Sequence, residues 1–184
     1  MFPEFKAFSK ISRLSREIII TEKIDGSNGI ICIDEAMNIY AGSRKKWLWE
    51  SGQDEIHNDN MGFGRWVKDN QEELKKLGPG FHYGEWWGLG IQRNYGLKEK
   101  HFSLFNTSRW ADVSLRPKCC DVVPVLYQGL CNTISIDQVL TRLSNTGSYA
   151  APGFMKPEGI VIYHTASRTM FKKTIENDEK GKEQ

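Results

Sequence analysis

The alternation of apolar and polar residues along the chain predicts a domain built mostly from β-strands. Apolar and β-branched residues fill 17–23, 29–33 and 38–42, and short polar connections separate these segments. We therefore expect three strands that pair in order as an antiparallel meander. The same pattern predicts further strands at 82–87, 101–105, 118–127, 158–164 and 168–174.

Two segments have helical spacing instead. Apolar residues from Phe63 to Leu77 share one helical face, which predicts a first helix with Asp59 or Asn60 as its cap. A second helix is predicted after a Ser135 cap, because the apolar residues that follow again fall on one side. Strands that outnumber helices and are mostly antiparallel predict the α+β class.

Length and composition fit one domain with a hydrophobic core, since the chain has 184 residues and 39% of them are hydrophobic. We expect this domain to cover residues 1–175, with a charged flexible tail at 176–184 and no separate C-terminal domain. The net charge of +2 does not by itself indicate a nucleic-acid binder.

The cysteines and the N-terminus bear on the compartment. None of the four cysteines forms a CxxC pair, so a structural zinc site is not expected. The first residues do not resemble a signal peptide, and no apolar run reaches membrane-spanning length. We therefore expect a cytoplasmic protein with free thiols and no membrane partner.

The segment from Lys23 to Asn28 is the strongest candidate for chemistry. It places a lysine beside a carboxylate and a glycine, directly after the apolar run Ile18-Ile19-Ile20. A lysine amine has a pKa of about 10.4, and nearby cations or partial desolvation would lower that pKa and make it nucleophilic. Such an amine can attack a phosphoanhydride. The alternative is a strand that ends in an ordinary Asp-Gly turn.

Three later residues could bind parts of a nucleotide. Arg44 could clamp phosphates, or it could belong to an exposed basic loop with Lys45 and Lys46. Glu85, which lies in a glycine-flanked strand, could accept a hydrogen bond from a ribose hydroxyl, or it could simply face solvent. Phe105 could stack on a purine base, although burial in the core is the more common role of a phenylalanine.

The last two candidate segments supply charge. Glu158 stands at the start of an apolar strand, a good position for a Mg²⁺ ligand, because Mg²⁺ takes one or two carboxylates plus substrate phosphates. Lys172 and Lys173 lie on the next predicted strand and could neutralise an α-phosphate. The sequence leaves open which of the two lysines does so.

In this order, the segments resemble the motifs of the covalent nucleotidyltransferases, and most of all those of ATP-dependent RNA ligases of the phage type 2 class. The resemblance extends from about Glu17 to Asp178. Lys23–Asn28 resembles the family's motif I, and the later motifs are matched in order by Ser43-Arg44, Gly84-Glu85, Phe105-Asn106, Glu158-Gly159 and Lys172. One departure is that Thr174 stands where motif V usually has its second lysine.

The resemblance implies a fold and a set of roles. The fold would be an ATP-grasp-like ligase adenylation domain, with mostly antiparallel sheets flanking an ATP cleft and peripheral helices. Lys23 would become adenylylated, Glu22 and Ile24 would contact the adenine, and Asn28 would lie on the phosphate side. Glu158 would bind the Mg²⁺ or Mn²⁺ ion that accompanies ATP.

The implied activity is the sealing of nucleic-acid ends, with RNA favoured over DNA. AMP would pass from lysine to a 5′-phosphate end, and a 3′-hydroxyl would then displace it. A partner protein could replace the C-terminal domain that larger ligases carry. Two alternatives stay open, a GTP-dependent guanylyltransferase of the capping type and a non-catalytic nucleic-acid binder that keeps the fold.

Overall fold

A computed structural model describes residues 2–179 of the chain and contains two β-sheets with helices packed against them. The strands are β1 Glu17–Lys23, β2 Ser27–Ile33, β3 Ile39–Ser43, β4 Trp47–Glu50, β5 Gly80–Gly88, β6 Lys100–Leu104, β7 Asp121–Val122, β8 Val125–Leu130, β9 Gly159–His164 and β10 Thr169–Thr174. The helices are α1 Phe63–Asp69, α2 Gln71–Leu74, α3 Thr107–Trp110 and α4 Thr133–Thr146, with a 3₁₀ turn at Lys75–Leu77. The predicted α+β class is confirmed.

The smaller sheet has four antiparallel strands in the order β10-β9-β1-β8. One face packs against α4, because alternate residues of β1 and β9 are apolar and buried there. This core contains Ile18, Ile20, Ile160 and Ile162 from the strands and Val139 and Leu143 from α4. The opposite face carries Lys23.

The larger sheet has six strands in the order β4-β3-β2-β5-β6-β7, and β6 and β7 are parallel. Its inner face packs on α1, α2, the 3₁₀ turn and α3. Where the two sheets meet, a third cluster joins them, made of Ile24, Trp87, Tyr95, Val123 and Ala151.

The predicted meander is wrong, because β1 and β2 belong to different sheets. Ile24, Asp25 and Gly26 carry the chain from one sheet to the other, and only β2 and β3 pair as expected. A second short crossing, Val123-Pro124, links β7 to β8. The two crossings are adjacent, since the backbone N–H of Glu22 donates to the carbonyl of Pro124 at 3.0 Å.

The predicted first helix is broken at Asn70 into α1, α2 and the 3₁₀ turn. The Asn70 side-chain amide donates to the carbonyl of Trp66 at 2.8 Å, so it competes with the backbone for that acceptor. The cap of α1 is Gly62, not Asp59 or Asn60, and the Asp59 carboxylate accepts from the N–H of Arg65 instead.

Other boundaries also differ from the predictions. The cap of α4 is Asn132, whose side chain accepts from the N–H of Ser135. The strand predicted at 118–127 divides at Val123-Pro124 into β7 and β8, while β4 and α3 were not predicted. Of the predicted flexible tail at 176–184, residues 180–184 lie outside the described residues, while the carboxylate of Asp178 accepts from the N–H of Thr174 at 2.8 Å. Within residues 2–179, helices long and apolar enough to cross a bilayer are absent.

Candidate functional site

The segment after Lys23 is held tightly against β5. The N–H of Gly26 donates to Glu85 Oε1 at 3.0 Å, and a Cβ at Gly26 would lie 2.5 Å from the Trp86 carbonyl oxygen. Close approach of two backbones therefore requires the glycine. The alternative of an ordinary Asp-Gly turn is wrong, because these residues cross between two sheets.

Lys23 and Glu158 form an ion pair at the centre of the site. Lys23 Nζ donates to Glu158 Oε2 at 2.5 Å, and only 24% and 17% of the two side chains are exposed. Glu158 immediately precedes β9, and Gly159 pairs with Lys23 in the sheet. The sequence predicts that nearby cations or desolvation activate Lys23. The structure shows partial burial, but the ion-pair partner is a carboxylate.

Glu85 brings a second carboxylate to the same place. Besides Gly26, it accepts from Asn28 Nδ2 at 3.3 Å, through Oε2. Desolvation raises the pKa of Glu85 to about 7, although the positive charge of Lys23 opposes this shift. Near neutral pH, Glu85 is thus divided between its charged and neutral forms.

Phe105 lies beside β5 on the outer face of the larger sheet, and Arg44 lies in the turn that follows β3 of the same sheet. Arg44 follows directly after Ser43, which pairs with Gly29, so its backbone lies near the end of β2 that carries Asn28. Arg44 is exposed. Phe105 is 36% exposed, and its N–H continues the β5–β6 ladder by donating to the Tyr83 carbonyl. Arg44, Asn28, Glu85 and Phe105 therefore border one open surface.

The structure separates Lys172 from Lys173. Lys172 pairs with Val161 on β9, and by strand alternation both face the same side of the sheet as Lys23. Lys173 faces the opposite side, where its amine donates to Asp137 of α4 at 2.8 Å. The structure brings Lys172 onto the face of Lys23 and does not bring Lys173 there.

The side chains of Glu22 and Ile24 point away from the open surface. Glu22 is 1% exposed, and its carboxylate accepts from the Ser148 hydroxyl and from the N–H groups of Tyr149 and Ala150 at 2.6–2.9 Å. Ile24 lies in the cluster between the sheets. The structure therefore does not bring these two side chains to the position expected for adenine contacts.

The loop that holds Asp25 contributes residues that no sequence motif indicates. Arg93 Nε donates to Asp25 Oδ2 at 2.9 Å, and Arg93 Nη1 donates to the carbonyl of Lys156 at 3.1 Å. The Tyr95 hydroxyl accepts from the N–H of Asp25 at 2.7 Å. Tyr95 has a φ of 52°, a left-handed conformation that is strained for an aromatic residue. The glycines around this loop were the only sequence signal.

The donor set suits a cation that also binds a phosphorylated ligand. Among residues 2–179, three or more metal-ligating side chains do not converge anywhere. Glu158, with Glu85 nearby, offers the one or two carboxylates that Mg²⁺ or Mn²⁺ uses when phosphates complete its coordination. The residues present therefore fit such an ion.

A model of the RNA ligase family matches residues 16–174. Curated proteins gave no match.

Solved structures of Naegleria gruberi RNA ligase variants also match. An apo variant has 20% identity and a TM-score of 0.64, and the match covers 94% of this chain and 57% of that one. A variant with ATP and Mn has 21% identity and a TM-score of 0.62, with 86% and 48% covered. A variant with AMP and Mn has 20% identity and a TM-score of 0.64, with 94% and 57% covered. The chain thus spans about half the length of these proteins and shares the fold of that part.

Proposed function

Because the chain belongs to the RNA ligase family, we propose that it is an ATP-dependent RNA ligase that carries AMP on Lys23. The observation that supports this most directly is the pairing of Lys23 with Glu158 at 2.5 Å, in a site that also contains Glu85. Partial burial of a lysine beside two carboxylates suits an amine that alternates between an ion pair and attack on a phosphate.

In the first step, Lys23 Nζ attacks the α-phosphorus of ATP. A nitrogen–phosphorus bond forms, the bond to the bridging oxygen breaks, and pyrophosphate leaves with the electron pair. The amine must first separate from Glu158 and lose a proton to solvent, because an ammonium has no free electron pair. A divalent cation, Mg²⁺ or Mn²⁺, held by Glu158 and the ATP phosphates would neutralise charge that develops on the α-phosphate.

Residues around Lys23 position the nucleotide in this proposal. Arg44 and Lys172 neutralise phosphate charge, and Asn28 lies on the phosphate side. Glu85 accepts from a ribose hydroxyl, and Phe105 stacks on the base. Positioning and charge neutralisation account for most of the catalysis of phosphoryl transfer.

Two further displacements complete the reaction. The oxygen of an RNA 5′-phosphate attacks the phosphorus of lysyl-AMP, which releases Lys23 and leaves AMP joined to the end. A 3′-hydroxyl then attacks the 5′-phosphate, AMP leaves, and a phosphodiester bond joins the strands. We propose the cytoplasm as the compartment, because all four cysteines are free thiols.

Incubation with α-labelled ATP and Mg²⁺, followed by a denaturing gel, tests the proposal. We expect label on the wild-type protein and none on Lys23→Ala. Lys173→Ala, which changes a lysine on the opposite face of the sheet, is the matched control and should keep its label. Undiminished label on Lys23→Ala would refute the nucleophile. Label from GTP but not from ATP would identify a guanylyltransferase instead.

A further inference from the structure

The outer face of the larger sheet carries a chain of aromatic rings that the proposed chemistry does not use. We define the aromatic surface as Tyr40, Trp47, Phe81 and Tyr83. Successive ring centroids are 6.0, 6.5 and 6.2 Å apart along this series, within the range of aromatic contact. Trp47, Phe81 and Tyr83 are 52%, 57% and 51% exposed. Half-exposed rings in one contiguous group indicate an interaction site.

A glycine leaves space for the Trp47 ring on this face. Trp47 pairs with Gly42 on β3, and a Cβ at Gly42 would lie 3.0 Å from the indole ring. The ring therefore lies over a position that has no side chain. Across the sheet, Gly42 pairs with Ile30, and Ile30 pairs with Tyr83, so the rings follow one path over adjacent strands.

Charge next to the rings indicates the kind of ligand. Arg44, Lys45 and Lys46 form the exposed turn that leads directly into Trp47. The ion pairs found within residues 2–179 do not involve these three cations. Aromatic faces beside a basic turn suit a flexible polyanion with planar groups, because bases stack on rings while phosphates meet the cations.

The aromatic surface is continuous with the site around Lys23. Tyr83 precedes Glu85 by two residues on β5, so both side chains project from the same face, one step apart along the strand. A ligand that lies over the rings would therefore extend toward Glu85 and Asn28, which pair across β5 and β2.

We propose that the aromatic surface binds unpaired RNA next to the end that is being joined. This inference rests on the proposed ligase function for the identity of the strand. Unpaired bases expose the π-faces that stack on rings, whereas a duplex keeps them inside. Trp47 and Phe81 act as stacking residues, and Lys45 and Lys46 contact phosphates.

Fluorescence anisotropy with a labelled 12-nucleotide oligouridylate tests the proposal, and a 12-base-pair RNA duplex serves for comparison. We expect Trp47→Ala and Phe81→Ala each to weaken oligouridylate binding about tenfold, and Trp47→Phe to bind within a few-fold of wild type. Phe171→Ala removes a ring that is 56% exposed on the other sheet and should leave binding unchanged. In the double variant Lys45→Gln, Lys46→Gln, the slope of log K against log[salt] should become less negative by about 1.4, because two phosphate contacts are lost.

Several results would overturn the proposal. One is equal oligouridylate affinity for wild type and the folded Trp47→Ala variant, with folding checked by circular dichroism. A second such result is tighter binding of the duplex than of the single strand. A third is a Trp47-dependent dimer in sedimentation, which would show that the aromatic surface binds a second copy of the chain. AMP labelling is measured in parallel. Trp47→Ala should keep its AMP label, so loss of RNA binding with intact labelling would support RNA binding by the aromatic surface. Absent labelling in the wild-type protein would refute only the ligase function.

Discussion

Replacement of Glu22 tests whether this carboxylate stabilises the fold or contacts the nucleotide. Its two oxygens accept from three donors, the Ser148 hydroxyl and two N–H groups of the loop after α4, in a position that is 1% exposed. A buried donor that loses its acceptor costs about 1–3 kcal/mol. We therefore expect Glu22→Ala to lower the free energy of unfolding by about 3–5 kcal/mol.

Thermal denaturation measures this effect. One kcal/mol corresponds to about 2–4 °C in a domain of this size, so the Tm of Glu22→Ala should fall by about 10 °C. Glu22→Gln keeps one acceptor oxygen for the two N–H groups but puts an NH₂ donor opposite the Ser148 hydroxyl, so its cost should be about 1–2 kcal/mol. Ser148→Ala, which removes one of the three donors, serves as the control and should also cost about 1–2 kcal/mol. An unchanged Tm for Glu22→Ala together with lost ATP binding would show that the side chain contacts the nucleotide and would refute this reasoning.

Three further predictions concern the site. The pKa of Glu85 is raised from 4.5 to about 7, so the folded state binds the proton more tightly than the unfolded state. The wild-type protein should therefore lose stability as the pH rises from about 4.5 to 7. Urea titrations of Glu85→Gln should lack this loss. Arg93→Met removes the contact to Asp25 and should slow AMP attachment about tenfold. Its Tm should change by only a few degrees, because partly exposed ion pairs contribute about 0–1 kcal/mol. An unchanged labelling rate would exclude a positioning role for Arg93. Lys172→Ala should slow AMP attachment about 100-fold and Lys173→Ala should not, and the reverse order in a labelling time course would contradict the assignment by strand face.

Much of the fold could be predicted because single strands have a clear pattern. The boundaries of β1 match the prediction, since its alternating apolar residues reflect burial on one face. Pairing could not be predicted in the same way. Asp-Gly is common in hairpins, and no local pattern shows that the chain crosses to another sheet instead of turning back. Likewise, the break at Asn70 depends on one side-chain hydrogen bond that helical periodicity does not show.

The candidate site also contains residues that the sequence predicts and residues that it does not. Lys23, Glu85 and Glu158 lie in recognisable motifs, and the structure brings them together. The choice between Lys172 and Lys173 needed the register of β9 and β10, which only the folded chain provides. Arg93 and Tyr95 act through contacts about 70 residues away in sequence, so neither composition nor spacing could identify them.

The two short crossings between the sheets, Ile24–Gly26 and Val123-Pro124, have a mechanical consequence. Three residues span at most about 11 Å, so neither link has slack to absorb a sliding motion. Both links are also packed into the cluster that joins the sheets, because Ile24 and Val123 belong to it. Lys23 ends β1 directly before the first link, and the N–H of Gly26 in that link donates to Glu85, so the short link fixes the spacing between the reacting amine and this carboxylate.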